Sequence, residues 1–143
     1  MKLLSIPIGL TLALLLLVFL PKVELPAQEA DSQNIIENIR VAIKAGSSSE
    51  FSQYLHDPVE LNLDGKRKSY SRNQAEFVLR DFFNKYPVTN FSYIHQGSSK
   101  EGLQYVIGKY EHGGGTFQVY MLLKQRENGN DMLVSMVDFS EDS

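Results

Sequence analysis

Three histidines and seven tyrosines are the side chains of this sequence best suited to acid–base chemistry, and there is no cysteine. His95 follows Phe91 and Tyr93 at strand spacing, so β alternation puts all three on one sheet face. In a concave site, a neutral imidazole there takes a proton or hydrogen-bonds a polar ligand, assisted by Tyr105 or Tyr120 from neighbouring strands. The competing reading makes His95 a partly buried residue satisfied by a backbone or tyrosine partner. Inter-strand register decides between the two. His95, Tyr93, Tyr105 and Tyr120 are therefore the candidate ligand-binding residues.

Other constellations fit bland roles better. His112-Gly113-Gly114-Gly115 has the form of a glycine-rich oxyanion loop, but no Gly-x-Ser-x-Gly nucleophile accompanies it. Lying between two strand patterns, it reads as a hairpin turn. His56-Asp57 are chain neighbours, which rarely aim at one atom, and Asp57-Pro58 reads as a turn. His56, His95 and His112 fall on separate elements without His-x-x-x-His spacing, so no metal site is expected. Without cysteine the chain has no disulfide, thiol nucleophile or thiolate ligand, nor a cysteine for lipid attachment. No catalytic residue and no cofactor is assigned.

A net charge of −3, with Lys66-Arg67-Lys68 as the main basic run, lacks the footprint of nucleic-acid binding. Met1 and Lys2 precede an uncharged apolar run, Leu3 to Leu20, and Pro21 to Glu29 turns polar and helix-breaking. That layout reads as a signal peptide, residues 1–27, cleaved after Ala27. The protein is then periplasmic or extracellular. The rival is an uncleaved inner-membrane anchor over residues 3–20, since 18 apolar residues reach the lower limit for a spanning helix.

The elements that must position the candidates are legible in turn. After a linker at residues 28–32, Ile35, Ile36, Ile39 and Ile43 recur at helical spacing up to Gly46. Ser47 to Glu50 forms a capping box for a second, short helix through Phe51, Tyr54 and Leu55, ending before Pro58. Val59 to Leu63 alternates, and Asp64-Gly65 turns the chain into Lys66 to Tyr70. Ser71 to Gln74 caps the longest helix, whose apolar face carries Ala75, Val78, Leu79, Phe82, Phe83 and Tyr86. Strands follow at 90–96, 103–110, 116–126 and 132–139 as an antiparallel meander. Helices should cover one face of a curved antiparallel sheet, an α+β architecture. On the third of these strands Phe117, Val119, Met121 and Leu123 form the core side. Gln118, Tyr120, Leu122 and Lys124, joined by Tyr110 and Phe139, make a semi-apolar outer face.

This order resembles the nuclear transport factor 2-like superfamily, a cone in which a sheet wraps around a helix. Three stretches, Tyr70-Ser71-Arg72-Asn73-Gln74-Ala75-Glu76 through Phe82-Phe83, Phe91 to Ser99, and Gly114 to Tyr120, resemble domain-of-unknown-function family 4783, small exported bacterial proteins. The resemblance spans residues 33–139, leaving a tail at 140–143. It implies the cone fold and an exported setting but brings no activity and no site residues, and fold alone does not select a function. An isomerase of the superfamily's ketosteroid kind needs a carboxylate base in the cavity. Asp138 is the one strand-borne aspartate, and its place near a strand end reads as surface.

The reading that results is a noncatalytic exported module binding a small molecule or an envelope protein. One alternative is an isomerase or hydrolase using a cavity His/Tyr pair, and another is a cell-envelope assembly protein. The outer sheet face offers a homodimer surface.

Overall fold

The computed structural model describes Pro21 and residues 27–142, with side chains from residue 31. The apolar segment read as an export signal or anchor lies outside the described residues. Among those described, no helix is long and apolar enough to cross a membrane.

Helix α1 spans Ala27–Lys44, so residues 28–32, expected as a linker, are helical. It ends as the glycine predicts. Gly46 takes φ +66, and the Gly46 and Ser47 amides close back on the Ile43 and Ala42 carbonyls. Helix α2 is only Ser48–Ser52, with the Ser47 hydroxyl accepting from the Glu50 amide. The chain then becomes strand β1, Leu55–Leu63, three residues earlier than Pro58 marks. His56 and Asp57 are thus strand residues rather than a helix end. Asp57-Pro58 is a cis peptide, lying where the β1 register shifts between Leu55 and Glu60. Asp64 (φ +53) and Gly65 (φ +75) turn the chain into β2, Lys66–Tyr70. Helix α3, Arg72–Lys85, opens on a full capping box between Ser71 and Gln74. Strands β3 (Val88–Ser98), β4 (Gln104–His112), β5 (Gly115–Gln125) and β6 (Met132–Glu141) complete the chain.

The six strands form one sheet in the order β2-β1-β6-β5-β4-β3. The expected meander is present, but the sheet is mixed rather than wholly antiparallel, because β6 pairs parallel to β1. The cause is connectivity: α3 carries the chain from β2 at one edge to β3 at the other, and the meander returns β6 to the side of the first hairpin.

One face of the sheet packs on the helices. Phe82 of α3 sits among Phe139 (centroids 4.6 Å apart), Phe117 (5.4 Å) and Tyr86 (5.0 Å), and Phe83 stacks on Tyr110 at 6.1 Å. Ile39, Ile43, Phe51, Leu61, Val119 and Met121 are fully buried around them. Tyr110 and Phe139, expected on the outer face, belong to this core; register pairs them with inward Phe91 and Val119 respectively. The Tyr110 hydroxyl donates to the Tyr86 carbonyl, tying β4 to the end of α3.

Candidate functional site

Two of the four candidate residues were expected beside each other, and a bulge separates them. In β3, Phe91 and Tyr93 face the helices, paired with Tyr110 and Gly108. The register then slips by one residue at Ile94, and His95 pairs with Ile107 on the opposite face. An extra residue in one strand reverses the side on which everything after it lies. The expectation that Phe91, Tyr93 and His95 share a face is therefore overturned. The alternation itself carries the signal: apolar Ile94 directly follows Tyr93, breaking period two.

Tyr93 is a structural residue. Its hydroxyl donates to the Ile36 carbonyl of α1 at 2.6 Å, and burial, then the nearby Glu37 charge, raises its phenol well above the usual tyrosine range. His95, Tyr105 and Tyr120 do converge, but on the face that carries no helix among the described residues, the helix-free face. His95 Nε2 and the Tyr105 hydroxyl are hydrogen-bonded at 3.0 Å, and the Tyr105 and Tyr120 rings lie 6.3 Å apart and nearly parallel, at 19°. Gly97 makes this possible. A Cβ there would come within 2.3–2.5 Å of the Tyr105 ring and hydroxyl, so only glycine lets the ring lean across β3.

Register extends the cluster into two rows across the sheet. His95, Ile107, Tyr120, Asp138, Asn62 and Arg67 succeed one another, one from each strand. Beside them run Gly97, Tyr105, Leu122, Met136, Glu60 and Ser69. The centre, Tyr105, Ile107, Tyr120, Leu122 and Met136, is apolar and half-buried. The β6–β1–β2 end is a polar network that sequence reading missed. The Asn62 amide donates to Asp138 at 2.9 Å, the Ser140 hydroxyl donates to Asp138, and Arg67 pairs with Glu60 at 3.1 Å. Asp138, expected as a surface residue, is only 19% exposed in its side chain because these partners surround it.

The glycine run is the two-residue β4–β5 hairpin, with His112 paired to Gly115. His112 Nδ1 accepts from the Gly114 amide at 3.1 Å, which places the neutral ring's proton on Nε2. The hairpin, Lys85, Tyr86 and Asp142 line a cleft of 520 Å3 at the end of the sheet. His56 donates from Nε2 to the Lys124 carbonyl at 3.0 Å and meets neither other histidine. Among the described residues no group of three metal-ligating side chains converges.

Comparison with known proteins places the chain. The profile of DUF4783, a domain of unknown function, matches residues 36–140. The chain belongs to the DUF4783 family. A crystal structure of a DUF4783 protein from Bacteroides ovatus is 30% identical, with 74% of this chain and 94% of that one covered at a TM-score of 0.68. The DUF4783 protein of Bacteroides uniformis is 27% identical, with 75% and 96% covered at a TM-score of 0.69. An NTF2-like protein of unknown function from Burkholderia xenovorans shares the fold at 14% identity, covering 82% and 89% with a TM-score of 0.59. DUF4783 is thus an NTF2-like α+β fold, as the order of elements implied. No curated protein matches the chain.

Proposed function

We propose that this DUF4783 chain is an exported, noncatalytic domain that binds a protein, either a second copy of itself or another envelope protein, through the helix-free face of its sheet. The observation that carries this reading is the arrangement of that face. Five half-buried apolar side chains, Tyr105, Ile107, Tyr120, Leu122 and Met136, sit together inside a border of His95, Lys109, Lys124, Asp138 and Glu60. An apolar centre with a charged rim is the anatomy of a protein interface, and tyrosine is enriched in such centres.

Two observations weigh against the other readings. His95 lies on the face opposite the aromatic rings packed between α3 and the sheet, so it does not point into the cone. His95 and Tyr105 instead form a pair on an open face, where water competes for every polar contact that catalysis would need. Export rests on the sequence alone, on Lys2 followed by the apolar run Leu3 to Leu20.

Substituting Leu122→Glu places a charge at the centre of the face without touching the core. Purification from native envelopes should recover a partner with the unaltered chain and lose it with this variant. Equal recovery from both would refute the sheet face as the binding surface. N-terminal sequencing of the exported protein decides whether residues 1–27 are removed.

A further inference from the structure

Lys85, in the last turn of α3, lines three adjoining clefts among the described residues. One, of 230 Å3, lies between α3 and the β1–β2 hairpin and is walled by Leu61, Leu63, Val78 and Phe82, with Lys66, Tyr70 and Asp81 also lining it. A second, of 570 Å3, lies against Phe117 and Phe139 and is also lined by Asn62, Ser140 and Glu141. Asp64 lines both. Its Oδ1 accepts from the Tyr86 hydroxyl at 3.0 Å and its Oδ2 from the Lys85 ammonium at 3.3 Å.

A hydroxyl and an ammonium that converge on the two oxygens of one carboxylate form a carboxylate receptor. In this structure the chain supplies the occupant itself. It does so from a turn residue held at φ +53, a region costly for residues other than glycine, asparagine and aspartate. Beyond the turn, Lys66 to Ser69 of β2 are all exposed, and the hairpin is held by strand pairing, by the ion pairs of Arg67 with Glu60 and Asp138, and by this contact.

We infer that Asp64 is a built-in plug, and that Lys85 and Tyr86 with the two flanking clefts form a site for a small ligand carrying a carboxylate on an apolar body, which displaces Asp64. The apolar walls of the inner cleft take the body of the ligand. Lys85, freed from Asp64, selects an anion over a neutral head group by charge. Displacement needs the Asp64 side chain to turn away from Lys85 and Tyr86, because Leu63 before it is held by its pairing with Phe139 of β6. The second cleft borders the polar end of the helix-free sheet face through Asn62 and Ser140, but the site includes none of the apolar residues at the centre of that face and does not depend on the partner proposed for it.

Glycine at position 64 separates a plug from a mere turn residue, because it suits the positive φ while removing the carboxylate. Decanoate, with decanol as its uncharged counterpart, is titrated calorimetrically into the exported chain. Asp64→Gly should bind decanoate at least ~10-fold more tightly than the unaltered chain, as removing an internal competitor requires. Adding Lys85→Met should abolish that gain and leave decanol binding unchanged. Leu122→Glu on the sheet face should alter neither. Decanoate binding that is no tighter in Asp64→Gly, or a gain that survives Lys85→Met, overturns the proposal. If circular dichroism shows Asp64→Gly to be unfolded, Asp64→Asn, which tolerates the same φ and removes the charge, carries the same expectation.

Discussion

At Gly108 an added Cβ would lie 2.7 Å from the ring of fully buried Phe91. Neither ring nor sheet can yield there without moving its neighbours, so Gly108→Ala should cost ~1–3 kcal/mol by overpacking. Urea denaturation measures it, and a change below ~0.5 kcal/mol would mean the interior is looser than its rings imply. Tyr110 gives a pH signature. Burial raises its phenol from 10.0 to about 12, so the folded state holds this proton more tightly than the unfolded chain does. That contribution is fully present below pH 10 and is lost as pH rises toward about 12. Stability followed from pH 9 to 12 should therefore fall, and fall less steeply in Tyr110→Phe. Tyr105 does hydrogen-bond His95 and Tyr120 lies against Tyr105, but on the face opposite Tyr93 rather than inside the cone. What sequence could not state was Gly97's role, because a glycine that admits a neighbour's ring across a strand is written like one that makes a turn.

Elements were legible where local rules decide them. The capping box at Ser71, the Asp64-Gly65 turn and the Gly46 cap all stand as spacing predicts. The Ser71 hydroxyl satisfies the Gln74 amide at 3.2 Å, so Ser71→Ala should lower stability by ~1 kcal/mol without shifting the ends of α3. Thermal unfolding checks this, and an unchanged midpoint would show the cap to be redundant. Elements failed to read where tertiary pairing overrides local preference. Tyr54 and Leu55 have helical spacing from Phe51, yet Leu55 begins β1 and pairs with Val134 of β6. The β3 bulge is of the same kind: one added residue reverses the face, and only the break at Ile94 announces it.

At the scale of the molecule, the cone could be foreseen from the order of elements, because α3 has one rich apolar face and the meander that follows must cover it. The parallel β1–β6 pairing could not, since it depends on where the meander ends in space. Nor could the aromatic packing between α3 and the sheet, which, with His95 turned to the other face, makes that face the one proposed here for a partner. A photoreactive phenylalanine analogue at Tyr120, compared with one at exposed Phe77 on α3, tests that assignment in intact cells. The face proposed here predicts a discrete protein adduct from position 120, whether a second copy or another protein, and none from position 77. A discrete adduct from 77 alone, or none from 120, would contradict it.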